Sequence, residues 1–305
     1  MGKKLAITTV FHFQQSSMLK KLLLFFDKVY LLDSEIETRK LEIEYYGNTH
    51  KEFAASIASS LDEFNYLLDI GLVDMFSEPD LVNESIKNYP EKEFSQFIES
   101  IKIHSRLNKK SMDEMTDEEA KSFIDITNDV ATRYGHIALH QSNVQNVIPI
   151  FHTQRVYETS NVKQDVLYFT FNKLPVPENN TPWEQIIDFR NDSDVQSSYL
   201  ALINWINRTA KTNITLDEVE DEFNVLYDDY IKHYNLHKMK SQMTTLDIIV
   251  STGIDALTNL DSVGQYIKAL FALRKSKISL MEEEMKLPGH EIAYIYKANE
   301  AFRNA

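Results

Sequence analysis

Apolar residues change their spacing several times along this chain, and each change marks an element. "KKLAITTVF" (3–11) and "VYLLD" (29–33) are near-continuous apolar runs, the pattern of strands in a sheet covered on both faces. Between them, "SSMLKKLLLFFDK" (16–28) puts Leu19, Leu22, Leu23 and Phe26 on one helical face, with Ser16 as its cap. A strand, a helix and a strand in so short a stretch predict a βαβ unit with a right-handed crossover. Over 50–70, Phe53, Ile57, Leu61, Phe64 and Leu68 recur at three- and four-residue steps, which predicts a second helix. "GLVDMF" (71–76) then reads as a return strand or extended loop after a glycine stop. Helices are expected over 91–108 and 117–140, the latter opened by "TDEE", a cap followed by acids that suit the positive end of the helix dipole. "NVIPIF" (146–151) and "DVLYFTF" (165–171) read as two further strands; Pro149 makes the first an edge strand or a short one.

The pattern breaks at "KLPVPENNTPWEQ" (173–185), where Thr181, Pro182 and Glu184 are spaced as N-cap, N1 and N3 of a capping box. Beyond it nearly everything is helix-periodic: 182–190, 194–210, 216–240, 245–259, 264–285 and 289–303. In 216–240, Val219, Phe223, Leu226, Tyr227, Tyr230 and Tyr234 form one stripe. The expected fold is therefore α+β and predominantly helical. A small, partly parallel N-terminal sheet with a helical insert (1–172) is joined by a linker (173–181) to a C-terminal helix bundle (182–305).

Composition narrows the function more by exclusion than by assertion. The 305 residues contain no cysteine, which removes disulfides, thiolate zinc sites and cysteine nucleophiles together. Only seven glycines occur, and GxGxxG, GxxxxGK[ST] and GxSxG are all absent. Backbone cradles for phosphates need glycine for close approach, so ordinary dinucleotide oxidoreductases, P-loop NTPases and α/β hydrolases are disfavoured. A net charge of −14 repels phosphate backbones and argues against direct nucleic-acid binding; the basic clusters "IKIHSRLNKK" and "LRKSK" read as solvated helix faces. No stretch has the ~20 apolar residues a membrane span needs. The start lacks a cleavage site, and Ala6 stands where a myristoylation signal has Ser or Thr. A cytoplasmic protein without an anchor is expected.

"LPVPENNTPWEQIIDFRND", "LALINWINRTA", "LHKMK" and "PGHEIAYIYKANEAF" together resemble an uncharacterised family of bacterial proteins, and "MLKKLLLFFDKVYLL" is similar to that family's opening. The resemblance implies an α/β N-terminal part and a helical C-terminal half, sometimes encoded near mobile-element or phage-defence genes. It implies no activity and no site residues.

Five pieces of candidate chemistry can be read from the sequence. His233 and His237 lie four residues apart, so both imidazoles can share one helical face, with Asp229 or Glu222 as a neighbouring acid. HExxH is not formed, and histidines near a helix C-terminus are also favoured by the dipole alone. His136 and His140 repeat the spacing. A restriction-like nuclease would need Asp80 and a D/E-x-K on a strand, but the downstream "EAK" (119–121) falls in a helix. "NDSD" (191–194) can be read as a nucleotide-sugar motif or as a helix cap, and the cap is preferred. Finally, ligands favour the carboxyl ends of parallel strands. That places a binding loop at "FHFQQSS" (11–17), with His12 and Gln14 as polar contacts, and at 33–35.

The first expectation is thus an interaction or assembly subunit of a bacterial cytoplasmic complex, self-associating or bound to a protein partner through helical surfaces that include Tyr227, Tyr230 and Tyr234. No cofactor is required by it. The alternative is a metal-dependent hydrolase or nuclease in which Asp229, His233 and His237 hold a divalent metal, and a third reading is a sensor with a ligand at the first strand's exit.

Overall fold

A computed structural model describes residues 5–8, 16–76, 91–109, 114–141, 144, 147–151, 162–212, 214–258 and 282–302. It is an α+β fold, mostly helical. Four short strands, β1 (Leu5–Ile7), β2 (Lys28–Leu32), β3 (Val73–Phe76) and β4 (Val147–Pro149), form one sheet in the order β3-β2-β1-β4. Every neighbouring pair is parallel, with Ala6 opposite both Val29 and Ile148, and Leu31 opposite Met75. Pro149 lies on the edge strand β4, where its missing N–H costs no ladder bond.

Helix α1 (Ser16–Phe25) links β1 to β2, and its leucines and phenylalanine are buried. A pair of helices, α2 (Asp33–Tyr46) and α3 (Lys51–Asp69), links β2 to β3. α2 has no counterpart in the sequence reading because its apolar residues do not form one stripe, and Leu41 and Tyr45 are exposed. α3 buries Ala54, Ile57, Leu61, Phe64 and Leu67, the expected stripe displaced slightly at each end. It ends at Gly71, whose φ of 73° lets the Leu72 N–H turn back to the Leu67 carbonyl. α4 (Glu91–Leu107) and α5 (Asp117–Gln141) precede β4. The Thr116 hydroxyl and Glu119 carboxylate cap α5 reciprocally, each accepting the other's backbone N–H at 3.2 Å.

The chain divides into two compact units, one of 1–164 with 176–186 and the other of 165–175 with 187–305. Within the first, the 176–186 stretch is fixed to α1. Lys20 Nζ donates to the Asn179 carbonyl at 2.6 Å and lies 5.2 Å from the centre of the Trp183 ring, and Trp183 Nε1 donates to Glu63 at 2.8 Å. Lys20 is buried, which lowers its pKa against the opposing pull of Glu63.

Residues 165–171, expected as a strand, are helical: they belong to α6 (Val162–Asn172). Their β-branched and aromatic composition suits a strand, but tertiary packing overrides such preferences. Val166, Leu167, Thr170 and Phe171 are the buried set, a helical spacing, and the Thr170 hydroxyl bonds back to the Val166 carbonyl at 2.7 Å. α7 (Trp183–Asn191) and α8 (Ser193–Thr209) follow. α9 (Leu216–Thr258) is one helix of 43 residues, where two helices with a break after 240 were expected. A 3-10 turn (His290–Ile292) leads into α10 (Ala293–Phe302). The expected helix 264–285 lies largely outside the described residues. Among the described residues no helix is long and apolar enough to cross a membrane.

Candidate functional site

A parallel sheet has a topological switch point where successive connections leave in opposite directions, and ligands bind outside the carboxyl ends of the two strands that flank it. In the order β3-β2-β1-β4 that point lies between β1 and β4. Thr8 and Ile150 follow those two strands directly. The Ile150 N–H donates to Ile7 at 2.8 Å, and the buried Thr8 hydroxyl donates to the Ile150 carbonyl at 3.0 Å. Phe151 comes next in the chain, and the Arg133 guanidinium carbon stands 4.5 Å from its ring centre, a cation–π contact that fixes the guanidinium plane.

Arg133 belongs to α5, and it is not alone there. Asn128, Asp129, Thr132 and Arg133 are all at most 5% exposed. They fall at positions i, i+1, i+4 and i+5 of the helix, so they share one face. Arg133 Nη1 donates to Gln96 of α4 at 3.2 Å. The Thr132 hydroxyl is fully buried and has no hydrogen-bond partner among the described residues. One turn on, His136 continues the face, flanked by Ile137, which packs with Phe97 of α4, and by Leu139, which packs with Ile7 and Val147. The contact of Arg133 with Phe151, just past the end of β4, brings the polar group to the carboxyl edge of the sheet. Lys21 of α1, in the same unit, is also buried, and burial lowers its pKa to about 8.

Chemically the group can grip an anion and read hydroxyls. A guanidinium held flat by an aromatic ring and a glutamine presents directed N–H donors suited to a carboxylate or phosphate. The Asp129 carboxylate accepts from hydroxyls, and the Asn128 amide and Thr132 hydroxyl can both donate and accept. A low-dielectric setting strengthens each of these bonds.

His136 supplies the frame at the opposite end of the same helix segment. Its Nε2–H donates to the Val147 carbonyl at 3.0 Å, tying α5 to β4. Burial, ahead of the neighbouring His140 and Arg133 charges, pushes its pKa down to about 4. Below pH 6.5 the unfolded chain takes up a proton here that the folded chain refuses. Stability contributed by this group therefore falls between pH 6.5 and about 4, by up to about 3 kcal/mol, and is unaffected above pH 7. Denaturant titrations of the wild type and His136→Gln at pH 7 and 4.5 should show a smaller loss on acidification in the variant.

The other sequence-derived candidates fall as follows. His12 and Gln14 lie outside the described residues, as does Asp80. His233 and His237 are both half-buried on α9, and His233 Nδ1 is 2.8 Å from the backbone oxygen of Asp229. The Asp229 carboxylate faces Lys232 at 3.9 Å. Among the described residues no three His, Asp or Glu side chains gather as a metal-binding group. His136 turns to Val147 as above. Tyr230 is completely buried; its hydroxyl donates to Glu284 at 2.7 Å, and burial followed by the Glu284 charge raises its pKa. Tyr234 stacks on Tyr230, and Tyr227, Tyr230 and Tyr234 all meet Tyr296 of α10. Much of the tyrosine stripe is therefore spent inside its own unit. Asp192 caps α8, accepting the N–H groups of Asp194 and Val195 at 2.8 and 3.1 Å, as the capping reading of "NDSD" expects.

The α5 group was not found from the sequence because a buried polar residue and a solvated one look alike in a single chain. Comparison with family models, with curated proteins and with solved structures gives no match.

Proposed function

We propose that the protein binds a small anionic molecule bearing hydroxyl groups, such as a hydroxy acid, a sugar phosphate or a mononucleotide, at the carboxyl ends of β1 and β4. One observation carries this reading: charged and hydroxylic side chains of α5, Asp129, Thr132 and Arg133, are buried at the switch point of a parallel sheet. Burying a charge and hydroxyls costs free energy that an apolar helix face would not incur. Buried polar groups of this kind at the carboxyl edge of a parallel sheet stand where ligands are received. The anion would take the Arg133 fork, and Asp129 with Asn128 would take the hydroxyls.

A thermal-shift screen of those three compound classes tests the proposal. At least one compound should raise the melting temperature of the wild type saturably. Arg133→Met, which keeps the apolar stem over Phe151 but removes the donors, should reduce its affinity at least about thirtyfold, the loss of a charge-assisted contact of about 2 kcal/mol. Stabilisation that survives Arg133→Met undiminished would refute the site.

The exposed surface supports a second reading, that of a self-associating assembly subunit. Leu41 and Tyr45, 65% and 74% exposed, lie one turn apart on α2, and Tyr45 continues through Tyr46 to the partly exposed Phe53 of α3. Such a contiguous apolar and aromatic strip suits a protein contact. Light scattering at micromolar concentration should give a mass above that of one chain, and Leu41→Glu with Tyr45→Glu should return it to the monomer. A wild type that is monomeric throughout would remove this reading and leave the ligand site untouched.

A further inference from the structure

The second unit holds a half-open cleft of about 460 Å³ between α8 and the segment that leads into α10, within the range of small-molecule sites. Its lining follows one stripe of α8, from Asp194 through Ala201 and Trp205 to Arg208, and faces Glu284, Met285 and Glu291.

Charge in the cleft is unevenly balanced. At the Arg208 end, that guanidinium stands 3.6 Å from Glu291, which also meets His290 Nδ1 at 3.5 Å, so this carboxylate is answered on both sides. At the other end a single ammonium serves two carboxylates: Lys297 Nζ meets Asp194 Oδ2 at 2.5 Å and Glu284 Oε1 at 2.8 Å. Glu284 Oε1 also accepts the Tyr230 hydroxyl. Both cationic and neutral donors thus converge on one oxygen of Glu284, while Asp194 Oδ1 and Glu284 Oε2 have no hydrogen-bond partner among the described residues. Two carboxylates and one lysine leave one net negative charge. Between the charged ends the wall is apolar: Trp205 is buried with its Nε1 turned away to Glu222 at 3.0 Å, and Leu200 and Met285 are exposed.

We propose that this cleft binds a small organic cation, a primary amine on a compact apolar body. The ammonium would be received by the open oxygens of Asp194 and Glu284, and the apolar body would lie along Ala201, Trp205 and Met285. Excess negative charge at one end of a partly dehydrated, apolar-walled cleft selects for a cation and against an anion or a neutral isostere. The site is independent of the sheet-edge reading and belongs to the other unit.

The test is titration of the full chain with 2-phenylethylamine, 2-phenylethanol and 3-phenylpropionate, followed by the fluorescence of Trp205 in a Trp183→Phe background and by calorimetry. The amine should bind saturably and at least tenfold more tightly than the alcohol, with the carboxylate weakest. Leu200→Arg, at an exposed position on the cleft wall, should weaken the amine at least tenfold without lowering the melting temperature. Ser197→Leu, which fills the cleft, should do the same, so that a folding failure in one variant leaves the other decisive. An amine that does not bind, that binds no better than the alcohol, or that binds both variants as it binds the wild type would overturn the proposal.

Discussion

Gly289→Ala should destabilise the second unit by about 3 kcal/mol or more, measured by denaturant unfolding. Gly289 has a φ of 76°, where an L side chain costs about 1–2 kcal/mol. A Cβ placed there would also stand 2.0 Å from the Leu226 carbonyl oxygen and 3.0 Å from Tyr230 Cβ. Neither neighbour can yield, because Leu226 contributes backbone from inside α9, about three turns from its start, and Tyr230 is buried. Forced overlap in a packed site adds about 1–3 kcal/mol. Gly71 is the control: its φ of 73° is nearly the same, yet nothing lies within 4 Å of a Cβ there. Gly71→Ala should cost only the backbone part, about 1 kcal/mol. Equal losses at the two positions would show that the close approach of the 287–290 turn to α9 is not as described.

Lys297→Met should cost about 3–5 kcal/mol, the usual consequence of removing one partner from a buried charge cluster. The lysine side chain is 10% exposed, that of Glu284 13% and that of Asp194 31%, so water entering from the cleft offsets the lost ammonium only in part, and Asp194 and Glu284 would be left to repel each other. Adding Glu284→Gln to Lys297→Met removes the repulsion and should recover more than half of the loss. If the single and double variants are equally unstable, the damage lies in lost packing and not in charge.

Elements with a single strong period were legible in the sequence: β1, β2, α3 and α5 lie where the apolar spacing puts them, and Pro149 marks the edge strand. Local capping chemistry was legible too, at Thr116 with Glu119 and at Asp192. The reciprocal cap of α9 shows how local such signals are. Thr215 and Glu218 exchange hydrogen bonds at 2.7 and 3.3 Å, which lowers the Glu218 pKa. The failures have a common cause, which is that tertiary context decided them. Residues 165–171 have strand composition but find a helical groove for Val166, Leu167, Thr170 and Phe171. α9 runs on through 241–244, between the two helices expected there, since no proline or glycine in those four residues enforces a stop. The candidate site is the extreme case. Nothing in the sequence singles out Asn128, Asp129, Thr132 and Arg133, and only the strand order, with β4 beside β1, puts a switch point next to them. Strand order is set by contacts between residues more than a hundred apart, and one sequence does not encode them in any local pattern.

The most direct test of the sheet-edge account is NMR of the Arg133 side-chain Nε–H, assigned by its loss in Arg133→Met and followed while the best-stabilising hydroxylated anion from the thermal screen is added. This resonance should shift saturably, with the same affinity as the thermal stabilisation. A guanidinium signal that stays fixed while the protein saturates with the compound would contradict it.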